Sequence, residues 1–455
     1  MTRGLVGIAL ALLGLLPLGT GVLFLTRTPF RAGLAVFTGV AAAMVLLPPL
    51  VYLGLEPSIP IVLLLGLVAL VAGMIVGRPS RARAGFELLP SLVLAVPLAL
   101  LATRGAEQPV GQYDSFANWT LKAKLLYAGR SFADASIAPP VHREYPLGLP
   151  SLEAYTLHWI GSANVRVLHV LFAVFLAGLA VVAWTVLRPH VGALPLTAGL
   201  SLLLWMPAAR DQALSGYADV PLACLFVSAA FLLGGERLAL GSVFAAAALA
   251  TKRDAVAFCA VLYGLAFVTL LVQRRRERLP GLVLAAGCVA LSALPWRVFD
   301  AVHDLHDRDI DLSLSRAGDL PFVFGRFGDV AVDRAYVWVL PIAVVAALVL
   351  LANRRARPLA VASLALGGCL LAALAFVYIS GTTGVRYLVR STAERTLITP
   401  TLLAAALLPL LVTRALGAEP RAPAPEERRR RRPARSRGRK RRRAQLSRRD
   451  ARRRR

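Results

Sequence analysis

Long apolar stretches separated by short turns rich in arginine constrain this chain more than any other feature. A helix needs ~20 mostly apolar residues to cross a bilayer. Stretches of that kind begin near Leu5, Ala32, Ile59, Phe86, Val165, Val191, Ala218, Leu238, Ala255, Leu279, Tyr336, Leu359 and Ile398. Hydrophobic residues make up 57% of the 455 positions and charged residues only 17%, with a mean hydropathy of +0.65. A soluble domain of this size cannot cover itself with so little polar surface. The expected fold is therefore all-α, a polytopic transmembrane helical bundle of about thirteen spans.

Arginine and lysine in short loops are retained on the cytoplasmic side. Arg78, Arg81 and Arg83, then Arg188, Arg274 to Arg278, and Arg354, Arg355 and Arg357 mark such loops. From Arg421 to Arg455 there are 19 basic residues against 3 acidic ones, a surplus of 16 out of the formal net charge of +27. Counting spans backward from a cytoplasmic tail places loops 104–162, 210–217, 299–334 and 380–395 outside, together with the amino terminus. The apolar run from Leu5 to Leu25 lacks a small-residue cleavage site and reads as a retained span. Three regions result: extra leading spans over 1–85, a core over 86–413 with a large outer loop at 104–162 carrying interfacial helices, and a tail over 414–455. The tail is too charged and too poor in aromatics to fold alone. It suits anionic membrane lipid, whereas the lack of stacking aromatics argues against nucleic acid.

The outer loop concentrates polar chemistry where ionisable groups are costly to keep. It reads Tyr113-Asp114-Ser115-Phe116-Ala117-Asn118-Trp119-Thr120-Leu121-Lys122-Ala123-Lys124, then His142-Arg143-Glu144-Tyr145-Pro146-Leu147-Gly148-Leu149-Pro150. On a regular helical wheel Asp114, Asn118 and Lys122 share one side, and Phe116, Trp119, Ala123, Leu126 and Tyr127 the other. That spacing predicts an interfacial helix with its aromatics at headgroup level and Asp114 and Lys122 facing a cavity above the bundle. Asn118-Trp119-Thr120 also fits a glycosylation acceptor pattern.

Span alternation brings further polar groups to the same side: Gly216-Tyr217-Ala218-Asp219, the turn Lys252-Arg253-Asp254, and the segment from Arg386 to Arg395. Two cations in an outer turn run against the positive-inside tendency and suit an anion such as a lipid phosphate. Cys224, Cys259, Cys288 and Cys369 all fall in apolar stretches, with no disulfide or metal spacing.

These segments together resemble the GT-C superfamily of glycosyltransferases. Tyr113-Asp114 with Trp119 and Lys122-Ala123-Lys124, Glu144-Tyr145-Pro146-Leu147-Gly148-Leu149-Pro150 with Glu153-Ala154, Gly216-Tyr217-Ala218-Asp219-Val220-Pro221 and Thr251-Lys252-Arg253 carry the likeness. They are similar to bacterial relatives of the dolichyl-phosphate-mannose-protein mannosyltransferases and of the lipid A aminoarabinose transferases. The resemblance covers Phe86 to about Thr413. It implies transfer of a sugar from a polyprenyl phosphate to a glycan, lipid or protein acceptor at the outer membrane face. It also implies that Asp114 is the essential first-loop carboxylate and Asp219 the acid of the second outer loop. Where relatives show Lys-Asn-Glu-Gly, this chain has Lys252-Arg253-Asp254-Ala255, and four spans rather than one precede its first outer loop.

The chemistry assigns roles. A base must take the acceptor hydroxyl proton, and Asp114 suits this. Cations stabilise charge on the departing phosphate, a role for Lys252 and Arg253 with Arg143, Lys122 and Arg386 in support. Trp119, His142, Glu144 and Tyr145 are candidates for contact with sugar or acceptor. His142 and Glu144 are also two candidate ligands for a divalent metal, too few to define a site. A lipid-binding protein without catalysis is the competing reading. A transporter would place charges in mid-membrane and show repeat symmetry, and neither is visible.

Overall fold

The computed structural model describes residues 2–77, 88–108, 112–130, 144–305, 316–380 and 384–417. Every regular element among them is helical. Four helices precede the outer loop: α1 (Thr2–Leu25), α2 (Ala32–Tyr52), α3 (Ile59–Val76) and α4 (Leu88–Glu107). The loop contributes a π-helical turn over Ser115–Thr120, then α5 (Leu121–Tyr127) and α6 (Gly148–Ile160). The core continues with α7 (His169–Leu187), α8 (Ala193–Trp205), α9 (Pro207–Ser215), α10 (Asp219–Gly234), α11 (Leu238–Leu249) and α12 (Ala255–Val272). It ends with α13 (Leu279–Ser292), α14 (Leu294–Val302), α15 (Leu320–Ala331), α16 (Val339–Leu351), α17 (Arg357–Ser380), α18 (Val385–Thr396) and α19 (Ile398–Ala415).

Among the described residues, nine helical segments are long and apolar enough to cross a membrane. The other four expected spans fall on α8, α10, α11 and α16, which are shorter apolar helices. At 1.5 Å per residue such helices reach only roughly 18–24 Å, against a hydrocarbon core of ~30 Å. A helical membrane bundle is thus borne out, and the expected count of thirteen full spans is not. The reason is visible in α10 and α11, most of whose residues are buried. They form a central hairpin sheathed by other helices, so their apolar character reflects burial in protein as much as exposure to lipid.

The leading helices share one core with the rest. Phe37 of α2 packs edge-on against Phe175 of α7 and, at 5.1 Å between ring centroids, against Phe244 of α11. Tyr155 of α6 donates its hydroxyl proton to the Ala11 carbonyl of α1 at 3.1 Å. Without a hydrophobic drive between helices in lipid, small residues permit the close approach that dispersion requires. A Cβ at Gly19 would collide with the Ala35 carbonyl, and one at Gly39 with the Leu15 backbone. The four cysteines are free thiols, with Cys224 and Cys259 buried.

Helix direction sorts the connections into two ends. The end where α10 begins, at Asp219, also gathers the outer-loop helices, the turn after α11 and the start of α19. The end where α10 finishes holds Glu236, which pairs with Arg275 and Arg278 from the turn after α12.

Candidate active site

Three short segments must bend sharply to bring polar groups together at the first of these ends. The chain enters through the π-helical turn, where the Thr120 hydroxyl donates to the Ser115 carbonyl five residues back at 2.8 Å. A π turn adds a residue and rotates everything after it out of α-helical phase. That rotation overturns the wheel drawn from sequence. Lys122, expected to face a cavity, is 0% exposed. Trp119, expected at headgroup level, is also buried, and stacks on Tyr145 with centroids 5.5 Å apart. The Lys122 ammonium lies 5.8 and 5.9 Å from those two ring centroids. It is Tyr113 and Phe116 that are exposed. Asn118 is buried as well, so the acceptor pattern around it is closed to glycosylation in this fold.

Glycine sets two further bends. Gly216 adopts a left-handed conformation at φ 73°, which L side chains rarely tolerate. A Cβ there would also strike the Ser115 hydroxyl. The turn it makes ends α9 and starts α10 at Asp219. Gly148 opens α6 by donating its amide to the Ala250 carbonyl at 2.8 Å, an approach that a Cβ would block. That contact holds the Tyr145-Pro146-Leu147-Gly148 stretch against the turn carrying Lys252.

Four carboxylates and three of the cations then form ion pairs drawn from distant parts of the chain. Lys252 Nζ bonds Asp219 Oδ1 at 2.8 Å and lies 3.1 Å from Asp254 Oδ2. Arg253 Nη1 approaches Glu144 Oε1 at 3.6 Å, and its guanidinium sits 5.8 Å from the Tyr145 ring centroid. The Glu144 carbonyl accepts from Trp296 Nε1 at 3.0 Å, which ties α14 to the site. Arg395 Nη1 donates to Asp114 Oδ2, and its guanidinium covers the Tyr217 ring at 4.4 Å. Tyr217 in turn donates its hydroxyl proton to Gln112 Oε1 at 3.2 Å.

Burial and charge act against each other here. Burial alone disfavours the Lys252 ammonium, but Asp219 and Asp254 more than offset it and hold its pKa above the ordinary lysine value. For Lys122 burial wins: its pKa is pushed down to about 7, with Glu144 opposing the shift and Arg253 adding to it. Burial likewise pushes the Glu153 carboxyl on α6 up to about 8, so it is chiefly protonated at neutral pH.

The arrangement brings Asp114, Asp219, Lys252, Arg253, Lys122, Trp119, Glu144 and Tyr145 to one end of the bundle, and the alternation that put the Lys252 turn beside the first loop holds. Lys252 and Arg253, expected to be held for an incoming anion, are instead paired within the protein. Their positive charge is balanced by Asp219, Asp254 and Glu144. Arg386 does not join the cluster: it is 72% exposed, lies 3.5 Å from Asp319 and covers the Phe322 ring. His142 and Arg143 lie outside the described residues. Among the described residues no group of three or more His, Cys, Asp or Glu is placed to hold a metal ion.

Two residues were missed by sequence reasoning. Arg395 stands in a run of loop cations, yet only Thr396 separates it from the buried Leu397 and Ile398, where α19 starts. That position, deeper than Arg386, is the signal that distinguishes it. Asp254 is the other: nothing in its spacing reveals that it shares Lys252 with Asp219. Comparison with family models, with curated proteins and with solved structures finds no match to this chain.

Proposed function

We propose that this protein is a membrane glycosyltransferase that moves a sugar from a polyprenyl phosphate to an envelope glycan, lipid or protein at the extracytoplasmic face, with its basic tail in the cytoplasm against anionic lipid. The observation that supports it most is the meeting of Asp114, Asp219, Glu144 and the Lys252 turn in one network, since these are the residues through which the chain resembles the GT-C enzymes. In this reading Asp114, about a third exposed, takes the acceptor proton, and Arg395 holds it in place. Lys252 and Arg253 contribute fixed positive charge near the departing phosphate, although both are also occupied within the protein.

The test compares cells with and without the chain for envelope glycans and for polyprenyl-linked sugars. Loss of one glycan with accumulation of its lipid-linked donor is the expected result. Unchanged glycans and unchanged lipid-linked sugars would overturn the proposal.

One observation favours a second reading, lipid binding without turnover. All four carboxylates of the network already have a cation within 4 Å, an arrangement that a purely structural cluster would also adopt. In that case Asp114→Asn and Asp219→Asn both retain function.

A further inference from the structure

At the opposite end of the bundle, Arg31 and Arg237 form no ion pair with a carboxylate among the described residues. Arg31 immediately precedes α2 and Arg237 immediately precedes α11. The two helices are neighbours in register: Phe37, six residues after Arg31, touches Phe244, seven residues after Arg237. Both arginines therefore sit at the same depth. Both also border the end of α7. Arg31 Nη1 donates to the buried Thr185 hydroxyl at 3.5 Å, while a Cβ on Gly235, two residues before Arg237, would lie 3.4 Å from Val186.

The Arg237 guanidinium has a buried Nη1 with no acceptor. A buried charged donor left without a partner is costly, and native structures rarely keep one without a water or ion to satisfy it. Arg31 adds to that cost, because its like charge lowers the pKa of Arg237, after burial itself. The nearest acid in sequence, Glu236, is engaged by Arg275 and Arg278 at 3.0 and 2.7 Å. Two neighbouring guanidiniums, a hydroxyl and an unsatisfied buried N–H suit a tetrahedral oxyanion, for which planar arginine forks are well shaped.

We infer that Arg31, Arg237 and Thr185 form a binding site for a phosphate group, supplied by the head group of an anionic phospholipid lodged between the ends of α2, α7 and α11. The site stands apart from the proposed active site and does not depend on it. Its α2 and α11 flanks belong to the central core, so an occupied site ties the leading helices to the α10–α11 hairpin. A ligand bound only by the folded state raises its stability by mass action.

The experiment uses the full-length protein, purified in a nonionic detergent, stripped of lipid and titrated with phosphatidylglycerol, phosphatidylcholine or inorganic phosphate. Thermal midpoint and lipid retention in native mass spectrometry are read together. Phosphatidylglycerol is expected to raise the midpoint and stay bound, and phosphatidylcholine, whose choline cancels the phosphate charge, to do neither. The double variant Arg31→Gln, Arg237→Gln should weaken phosphatidylglycerol about tenfold or more. Arg276→Gln, an exposed cation at the same end, should leave it unchanged. A saturable shift with inorganic phosphate, lost in the same double variant, would show that the head group alone suffices. If the double variant does not fold, Arg237→Lys replaces it, keeping the charge but losing the fork. An equal phosphatidylglycerol response in wild type and variant, or no anion-specific response in wild type, would overturn the site.

Discussion

At the end of the bundle where α10 begins, four carboxylates buried or half-buried by the fold meet cations carried by other segments. At the end where it finishes, Arg31, Arg237, Arg275 and Arg278 among the described residues outnumber the acids Glu236 and Glu277. The first set is internally balanced, and each partner is fixed by a helix terminus. The second carries a basic surplus, of the kind that anionic lipid attracts. Composition alone cannot separate these cases, because arginine is abundant at both. What separates them is how completely the protein itself partners each charge: every carboxylate named at the first end meets a cation of the network, whereas at the second the buried Nη1 of Arg237 has no acceptor.

The comparison breaks first at Lys252. If the balanced end is held by its pairs, Lys252→Met strands Asp219 and Asp254 without their shared cation, and a broken buried pair costs ~3–5 kcal/mol. A large fall in the thermal midpoint of the purified protein is expected. Adding Asp219→Asn should restore part of the loss, since contacting residues in one network couple. An unchanged midpoint in the single variant would mean that solvent, rather than the fold, balances this charge.

Asp114 sharpens the same comparison from the side of function. Asp114→Asn keeps the shape of the side chain and removes its basicity, so turnover of a purified transferase should fall ~10²-fold, with donor binding largely kept. Arg395→Gln leaves the carboxylate but releases its position, and should lower kcat with Arg395→Lys recovering part of it. Asp219→Asn should also lower turnover, by disturbing Lys252 rather than by removing the base. Near-wild-type transfer by Asp114→Asn together with loss in Glu144→Gln would move the base to Glu144.

Much of this was legible in the sequence, and the reasons differ by feature. Apolar runs marked the helices because a period of 3.6 and a length near twenty leave a strong trace. The meeting of Asp114 with Asp219 and the Lys252 turn followed from counting spans, which fixes the end of the bundle at which each loop emerges. The pairing within that end did not follow, because 281 positions separate Arg395 from Asp114 and no local pattern encodes a contact so distant. Lys122 and Trp119 were misplaced for a different reason. The wheel assumes 100° per residue, and Ser115–Thr120 is wound as a π turn. The short helices α10 and α11 were read as spans because burial in protein and burial in lipid select the same apolar side chains.

Buried ionisable groups should reveal themselves through pH. Glu153 has no carboxyl partner for Oε2, and its pKa rises from 4.5 to about 8 through burial. The unfolded chain releases that proton first, so the stability of the wild type falls as pH rises from about 4.5 to about 8. Glu153→Gln removes the titration, and the variant should gain on the wild type across that interval. Lys122 works in the opposite sense. Its proton is held more tightly by the unfolded chain, so its contribution to stability rises as pH climbs from about 7 to 10.5. Lys122→Met should remove that rise. Parallel curves of thermal midpoint against pH for wild type and both variants would show that water reaches these groups and that their burial has no energetic consequence.

The smallest expected effect lies at the basic end. Glu236 joins Arg275 and Arg278 in short hydrogen bonds, which on geometry alone resemble those around Lys252. All three side chains are nearly half exposed or more, and solvent screens such pairs while side-chain entropy opposes them. Glu236→Gln should therefore leave the thermal midpoint where it is, in low salt as well as high. A fall comparable to that of Lys252→Met would show that the basic end is also held by internal pairs. The distinction between an end whose charges are held by buried pairs and an end whose pairs are loose would then fail.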